Sequence, residues 1–400
     1  MPGVHEPLTD ALLDPATYSG DLAGALARLR TQAPVAWNAT KGFWAVSRHA
    51  DVLEASSEPG RFCSAKGILV DEIGTTYDSP PTMMHADPPQ HTRYRKLARP
   101  GFTNAVVRGL EPMVRERAGR LLDAVAAKAS DRHVVDITAE LAVPLPIQLI
   151  ASLLGLPEGD EERLFRWSEA AIPGATDWTD DERMALLGEM TVELLALAAQ
   201  RRSAPRDDVV SMLAAYEEDG EALTDDELGM FLVQLLVAGN ETTRNAISGA
   251  FVALAEAPEE LTRLAADRAL LPTAVEEVLR WTTPVTSFLR TAVADTTLGG
   301  TAIAAGDPLL LLYASANRDE AEFGPTAATF DVGRNPNHHV ALGHGPHFCL
   351  GAALARLELS VVLEGVSARW RRMEVAYPVE RSGSSIIAGI RSAPLRLEAR

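Results

Sequence analysis

The chain has 400 residues, 46% of them hydrophobic, so it can bury a large core and is not an intrinsically disordered chain. Its formal net charge of −18 argues against nucleic acid or an anionic membrane as the general partner. The two cysteines, Cys63 and Cys349, give no disulfide framework. Since the N-terminus lacks the features of a signal peptide and no apolar run is long enough to cross a bilayer, we expect a cytoplasmic protein.

Helical spacing of apolar residues predominates along the chain. The predicted elements are, in chain order, a hairpin at 35–47, helices at 110–129, 145–156, 180–202 and 223–257, a small sheet within 289–318, a long irregular Gly/Pro-rich segment at 324–346 and a helix at 350–370. No linker, charge block or internal repeat divides the chain, so we expect residues 1–400 to form a single domain. The pattern predicts a mainly α (α+β) fold, with a large helical domain and a small β-rich region.

The stretch DPPQHTRYRKL predicts a helix start with Asp87 as its cap. His91 and Arg95 follow one turn apart, on one face of that helix. Two further basic residues are Arg290, which begins a later strand, and His347, which lies in the cysteine-containing loop. Each of the four basic residues by itself fits an ordinary surface position, but together they could neutralise a dianionic ligand.

The stretch LTDDELGMFLVQLLVAGNETTRNAISGAFVALAEAP predicts one helix of about 33 residues, or roughly 50 Å. Thr224 and Glu227 form a capping box, and Pro258 ends the pattern. A helix this long and this apolar must cross the centre of the protein. Its middle, residues 239–245, is nevertheless polar, and unpaired polar groups there cost about 1–3 kcal/mol each.

Two interpretations of this polar turn remain open. In the first, Asn240, Glu241 and Arg244 form a solvated or domain-facing stripe. In the second, Gly239 and a threonine hydroxyl bonded one turn back open a kink or a bulge in the helix. A kink would leave room for a small ligand beside a carboxylate and a hydroxyl, an arrangement suited to proton delivery.

The stretch TAVEEVLRWTTPV places Glu277 and Arg280 three residues apart, on one helix face. The apolar residues around them indicate that much of this helix is buried, and buried charges need partners. Arg334, in the irregular segment, is the candidate third member. We expect these three residues to be structural and to hold the loop that precedes Cys349.

The stretch HHVALGHGPHFCLG contains four histidines and Cys349. A zinc site is disfavoured because no second cysteine pair exists and His347 lies only two residues from Cys349. A cysteine nucleophile would need a paired base, and nothing singles one out. What remains is Cys349 immediately before an apolar helix, whose amides and dipole favour a thiolate. A thiolate as the only protein ligand suits iron in a macrocycle.

These motifs occur together in the order typical of one family. Along nearly its full length the chain resembles soluble bacterial cytochromes P450, through the motifs DPPQHTRYR (87–95), AGNETT (238–243), EEVLR (276–280), FLR (288–290), FDVGR (330–334) and LGHGPHFCLG (342–351). The resemblance implies the P450 fold, the cofactor haem b (iron protoporphyrin IX) and a monooxygenase that inserts one oxygen atom of O2 into a C–H bond of a hydrophobic small molecule. Leu342 stands where the family usually has phenylalanine.

The resemblance also implies roles for individual residues. Cys349 would be the iron ligand, and Glu241 and Thr242 the catalytic acid–alcohol pair. Positions matching cofactor-binding residues are His91, Arg95, Ala238, Arg290, His347, Cys349 and Gly351. Positions matching substrate-facing residues are Met83, Met84, Val237, Val285, Phe288 and Ile387, with Trp167 and Ile172 as further candidates. Most of these side chains are apolar, which predicts a hydrophobic substrate.

The motif AGNETTRNAIS is similar to members of the family that act on branched lipids and sterol side chains. Natural-product tailoring in secondary metabolism is the alternative substrate class. A non-catalytic or peroxide-driven haem-thiolate protein is the rival interpretation, and the pair Glu241–Thr242 speaks against it because neither of these would need such a pair. We expect a monomer that binds neither nucleic acid nor membrane.

The sequence contains no flavin or iron–sulfur domain, so electrons must come from another protein. The expected donor is a ferredoxin, itself reduced by an NAD(P)H-dependent ferredoxin reductase. Arg93, Lys96, Arg99 and Arg356 are candidates for a basic docking face, and scattered surface charges are the alternative.

Overall fold

The computed structural model describes residues 6–75, 82–156, 159–172, 176 and 178–400. Most of these residues are helical, which confirms the predicted fold class. The α-helices are α1 (Glu6–Asp10), α2 (Pro15–Ser19), α3 (Leu22–Gln32), α4 (His49–Ser57), α5 (Gln90–Ala98), α6 (Asn104–Arg132), α7 (Pro144–Leu153), α8 (Glu161–Ala170), α9 (Asp180–Ser203), α10 (Val209–Ala215), α11 (Asp225–Glu256), α12 (Pro258–Ala266), α13 (Leu271–Thr282), α14 (Tyr313–Ala316), α15 (Glu320–Phe323) and α16 (Ala352–Arg369). No helix in the described ranges is long and apolar enough to span a membrane.

The strands are short and form small sheets. They are β1 (Val35–Asn38), β2 (Phe43–Val46), β3 (Phe62–Cys63), β4 (Val135–Asp136), β5 (Glu217–Glu218), β6 (Glu221–Ala222), β7 (Phe288–Ala292), β8 (Thr296–Leu298), β9 (Thr301–Ile303), β10 (Pro308–Leu311), β11 (Trp370–Val375), β12 (Glu380–Arg381), β13 (Ile390–Ser392) and β14 (Pro394–Ala399). The predicted hairpin is β1–β2, with Val35 opposite Val46. β10 pairs in parallel with β2 and antiparallel with β7, which gives the five-stranded order β1-β2-β10-β7-β3.

The long helix α11 begins and ends where the sequence predicts. The Thr224 hydroxyl accepts the Glu227 N–H at 3.2 Å, and the Glu227 carboxylate accepts the Thr224 N–H at 2.9 Å, so the capping box is present. Helices α7, α8, α9, α13 and α16 all pack against α11. The helix therefore crosses the centre of the protein.

Of the kink or bulge in the second interpretation of α11, the bulge is absent, because residues 225–256 are α-helical throughout. Gly239 has a packing role instead. A Cβ at that position would lie 2.6 Å from the Ile150 Cδ1 atom on α7, well inside van der Waals contact. A larger residue here would require the end of the Ile150 side chain to shift.

A fully buried ion cluster centres on Glu277, on α13. Glu277 and Arg280 are both 0% exposed. The Arg280 Nε and Nη2 atoms donate to the two oxygens of Glu277 at 2.7 and 2.8 Å. The Arg334 Nε atom donates to Glu277 Oε2 at 3.1 Å. The structure thus brings together the three residues that the sequence singles out.

This cluster holds the irregular segment in place. Arg280 also donates to the backbone carbonyl groups of Asn317, Ala327 and Thr329. Arg334 donates to the carbonyl groups of Thr326 and Thr329. The segment 317–337 is therefore hydrogen-bonded to buried charged side chains at several points. These bonds fix the position of the chain from which the Cys349 loop continues.

Replacing Glu277 by glutamine should destabilise the protein by about 3–5 kcal/mol, because Arg280 and Arg334 would remain as buried cations without a counterion. The free energy of unfolding, from urea denaturation followed by circular dichroism, measures the effect. The control is Glu259→Gln, at an exposed position in the first turn of α12, where a change below about 0.5 kcal/mol is expected. Equal effects for the two variants would contradict the structural role of Glu277.

Candidate active site

The loop before Cys349 is shaped by two glycines with positive φ, Gly343 (71°) and Gly345 (68°). A Cβ at Gly345 would lie 2.4 Å from the Ser56 carbonyl oxygen, so the loop packs directly onto the end of α4. The Cys349 N–H donates to the Leu342 carbonyl group at 2.8 Å, which closes the loop. Cys349 is thereby held just before α16 begins.

Loss of solvation raises the pKa of the Cys349 thiol above its usual value. Three influences act in the opposite direction, namely a hydrogen bond from the Gly351 N–H and the positive charges of Arg95 and Arg356. Burial therefore outweighs the helix-start effect that the sequence indicates. A metal cation at the sulfur would supply the positive charge that a thiolate needs in this environment.

Two histidines predicted to bind the cofactor lie against each other. The ring centroids of His91 and His347 are 4.1 Å apart. Burial lowers the pKa of both, and the nearby charges of Arg95 and Arg290 lower it further, to about 3 for His347. Both imidazoles are therefore neutral at pH 7, and His347 Nε2 lies 3.1 Å from the Ser64 hydroxyl.

Arg95 and Arg290 complete this group of donors. Arg95 Nη1 donates to the Phe348 carbonyl group at 2.8 Å, and the buried Arg290 donates to the Leu289 carbonyl group at 2.7 Å. Neither forms an ion pair with a carboxylate within the described ranges. A buried guanidinium group without a counterion is costly, so the pair favours an anionic ligand. Two guanidinium groups, two neutral imidazoles and one thiol fit the two carboxylates and the iron of haem b.

Asp87 does not cap α5, contrary to the sequence prediction. The helix begins at Gln90, with Pro89 as its N-cap residue. The Asp87 carboxylate instead accepts the N–H groups of Ser64 and Ala65 at 2.8 and 3.0 Å. Since Ser64 contacts His347, Asp87 fixes the chain that supports the histidine pair.

The polar turn of α11 is buried, which excludes a solvated stripe. Asn240, Glu241 and Arg244 are 0%, 1% and 6% exposed. Arg244 Nη2 lies 2.6 Å from Glu241 Oε2, and Arg244 Nη1 lies 2.8 Å from Glu169 Oε1 on α8. Sequence reasoning missed Glu169, because α8 is distant along the chain and carries no motif that marks this residue.

Burial raises the pKa of the Glu241 carboxyl group to about 8, with the Glu169 charge acting in the same direction and Arg244 against it. Two carboxylates thus share one guanidinium group in the interior. Asn240 reinforces the contact with α8 through a 2.6 Å hydrogen bond to the Ser168 hydroxyl. Glu241 consequently holds a proton that can be released near neutral pH.

The Thr242 hydroxyl donates to the Ala238 carbonyl group, one turn earlier, at 2.6 Å, as the sequence predicts. Ala238 is exposed although its neighbours Leu236 and Asn240 are buried. This turn of the central helix therefore faces an open cleft rather than the packed core.

Four of the six predicted substrate-facing residues lie in one apolar cluster. The cluster consists of Leu69, Ile172, Val237, Val285, Phe288, Ile386 and Ile387. Met83 packs against a different cluster, which includes residues of α7, α8, α9 and α11. The adjacent Met84 is partly exposed. Residues 76–81, shortly before Met83, and residues 173–175 and 177, shortly after Ile172, lie outside the described residues.

Trp167 is not substrate-facing, contrary to expectation. It is buried in the core between α8 and its neighbours, with Arg163 stacked 4.8 Å from its ring centroid. Two of the other three loop histidines have acidic partners. His338 lies 2.9 Å from Glu322 and His339 lies 3.1 Å from Glu276. No group of three or more His, Cys, Asp or Glu side chains in the described part of the chain is arranged to hold a metal ion.

The comparisons with known proteins agree with this geometry. A profile described as Cytochrome P450 matches residues 180–368. The Methyl-branched lipid omega-hydroxylase of Mycobacterium tuberculosis (strain ATCC 25618 / H37Rv) is 39% identical over 392 residues, covering 93% of this chain and 90% of the relative. The Steroid C26-monooxygenase of Mycolicibacterium smegmatis is 35% identical over 383 residues, covering 92% of this chain and 88% of the relative.

The crystal structure of CYP108D1 from Novosphingobium aromaticivorans superposes with a TM-score of 0.88 at 32% identity, over 100% of both chains. Likeness in sequence and in fold thus extends over nearly the entire chain, including the cysteine loop, the central helix and the buried glutamate cluster. The chain therefore belongs to the cytochrome P450 family of monooxygenases, whose cofactor is haem b.

Proposed function

We propose that this cytochrome P450 hydroxylates a C–H bond of a branched lipid or a sterol-like molecule. The observation that carries the proposal is the position of α11, which contributes Val237 to the apolar cluster and Glu241 and Thr242 to the next turn. An acid with a raised pKa and an alcohol therefore lie beside a hydrophobic wall. The lipid and steroid hydroxylases among the relatives support the same substrate class.

Within this proposal Cys349 is the ligand of the haem iron. His91, Arg95, Arg290 and His347 bind its two carboxylates, because their donors are crowded around the cysteine loop without a protein counterion. Ala238, on the exposed turn of α11, and Gly351, beside the sulfur, line the cofactor on either side. When bound, haem supplies the redox-active iron at which O2 is activated.

The chain's own residues deliver the protons that this reaction consumes. The Thr242 hydroxyl, once released from the Ala238 carbonyl group, can orient O2 or a water molecule. Glu241 carries a proton at neutral pH and passes it towards Thr242 by turning away from Arg244. Glu169 keeps Arg244 ion-paired while Glu241 is turned away, and Glu241, once it has given up its proton, returns to Arg244 as a carboxylate and is reprotonated from solvent.

The apolar cluster positions the substrate. The isolated bridge between Val285 and Ile387 joins the segment after α13 to the C-terminal loop, so the cluster is a continuous wall rather than scattered side chains. Such a wall excludes water and binds an aliphatic chain or ring system. Phe288, whose ring packs edge-on to Tyr313 at 6.2 Å, contributes a rigid face.

Cys349→Ser should abolish the red-shifted Soret band of the reduced carbonyl complex, because a serine hydroxyl does not provide a thiolate ligand. Cys63→Ser is the matched control, since Cys63 is the other free cysteine and should leave the band unchanged. Absorption spectra of the dithionite-reduced, CO-treated proteins measure both variants. A band that persists in Cys349→Ser would refute the ligand assignment.

Thr242→Ala should uncouple electron consumption from product formation, because proton delivery loses its hydroxyl group. We expect the product formed per NAD(P)H to fall at least about 10-fold while hydrogen peroxide rises. Thr242→Ser, which keeps the hydroxyl, should retain most of the coupling. Unchanged coupling in the alanine variant would remove Thr242 from the mechanism.

We also propose that a ferredoxin delivers the electrons at the surface beside Cys349. Three of the four predicted docking residues are already paired with acids of this chain: Arg93 with Glu221 and Glu227, Lys96 with Glu218 and Asp219, and Arg356 with Glu276. Arg99 is exposed, with no ion pair in the described part of the chain. Phe348, 39% exposed and adjacent to Cys349, adds an apolar contact.

Arg99→Glu should raise the KM for an acidic ferredoxin at least about 5-fold at low ionic strength, because charge complementarity controls association. The control is Arg120→Glu on the exposed face of α6, for which little change is expected. Steady-state reduction kinetics with a purified ferredoxin and its reductase measure both. A similar KM for the two variants would dismiss Arg99 as a docking residue.

A further inference from the structure

A cavity of about 290 Å³ lies beside the C-terminal half of α11. Its walls are formed by α2, α3, the C-terminal end of α13, Thr286 just before β7, and the hairpin β12–β13. Neither Thr242 nor Cys349 lines it, and it shares one residue, Ile387, with the apolar cluster described above, so it lies on the other side of that wall. Its volume is at the lower end of the range for small-molecule sites.

Arg318 contributes a cation without an acidic partner to this cavity. Its guanidinium carbon lies 3.8 Å from the Trp281 ring centroid. Its Nη atoms donate to the carbonyl groups of Arg280 and Trp281 at 3.0 and 2.7 Å. Carbonyl groups do not neutralise a charge, and Arg318 forms no ion pair within the ranges that the structure describes.

Arg30 is the second cation of the wall, and it is only 6% exposed. Its Nη1 atom contacts the carbonyl and hydroxyl oxygens of Ser315 at 3.3 and 3.2 Å. Its ion pair with Glu320 is long, at 3.4 Å, and the Glu320 side chain is 56% exposed, so solvent screens it. The buried Nε atom of Arg30 has no hydrogen-bond partner in the described part of the chain.

Arg381 also lines the cavity, so three arginines stand against the two acids of the lining, Asp21 and Glu256, and the wall carries surplus positive charge. The pKa of Arg318 is lowered to about 9, mainly by burial and further by the charges of Arg280, Arg30 and Arg334, with Glu277 acting in the opposite direction. Glu277 is already shared by Arg280 and Arg334. An anion in the cavity would relieve this repulsion.

The remaining lining indicates what kind of anion fits. Leu26, Val252 and Ile390 are buried apolar residues of the wall, suited to an aliphatic or aromatic group. Two acids, Asp21 and Glu256, line the cavity at exposed positions and would repel a second negative charge. These features favour a monoanion with an apolar body over a phosphate or another dianion.

We propose that this cavity is a second ligand site, which binds a small carboxylate between Arg30 and Arg318 with its apolar part on Leu26 and Val252. Guanidinium groups bind carboxylates through strong charge-assisted hydrogen bonds. The site adjoins the substrate side. Its wall residue Asn245 accepts the Ile390 N–H at 2.9 Å and donates to the Glu241 carbonyl group at 2.7 Å.

Hexanoate is a suitable probe, and isothermal titration calorimetry of the purified holoprotein measures its binding. Saturating 1-phenylimidazole, which occupies the iron side of the substrate pocket, should leave hexanoate binding in place. Hexan-1-ol, which has the same chain without the charge, should bind at least about 10-fold more weakly.

Two variants test the location. Arg30→Gln should weaken hexanoate binding at least about 10-fold by removing a charge from the wall. Ala23→Trp, at an exposed lining position, should close the cavity and abolish binding without touching a buried group. Arg206→Gln, at an exposed arginine outside the cavity lining, is the matched control and should bind as the unmodified protein does.

The proposal is overturned by any of three results. These are the absence of saturable hexanoate binding, full binding in Ala23→Trp, or displacement of hexanoate by 1-phenylimidazole. The last result would place hexanoate in the substrate pocket. None of these outcomes bears on whether Cys349 binds iron. The second site can therefore be refuted without refuting the proposed function, and the reverse is also true.

Discussion

The interaction on which the rest of the structure depends is the buried carboxylate of Glu277 with Arg280 and Arg334. The three groups are inaccessible to solvent or nearly so, and their remaining donors bind backbone carbonyl groups of the irregular segment. Apart from the short helix α15, residues 317–337 form no α-helix or strand, and the arginine donors satisfy backbone carbonyl groups there. The loop that carries Cys349 follows directly after this segment. The position of the loop therefore depends on where Arg280 and Arg334 hold the segment.

The two sides of the proposed haem site use electrostatics in opposite ways. Beside Cys349, Arg95 and Arg290 form no ion pair with a carboxylate of the described residues and the two histidines are neutral, so this side is suited to an anion. On α11, the second acid Glu169 shares Arg244 with Glu241, and burial keeps the Glu241 carboxyl group protonated near neutral pH. One side is thus suited to holding a charged cofactor, and the other to moving a proton.

Several features were predictable because they depend on residues close together in the chain. The capping box of α11, its length and the hydrogen bond from Thr242 to Ala238 follow from local sequence alone. The predictions that failed concern contacts between distant segments. Asp87 binds the N–H groups after β3 rather than those of its own helix, and Trp167 packs into the core although its segment borders the substrate side. α11 has no bulge at Gly239, where Ile150 from another helix packs against the glycine.

By itself, then, the sequence determined the family, the fold class, the course of the central helix and the few polar residues that are candidates for the site. These follow from motifs and periodicity, which are properties of neighbouring residues. Only the tertiary structure decided the charge state of those residues and their partners. It brought Glu169 to Arg244, placed no acid of the described residues against Arg290, and put Arg30 and Arg318 in the lining of one cavity. The physical reason is that pKa values and ion pairs depend on burial and on distances across the fold, and neither quantity is encoded in local spacing.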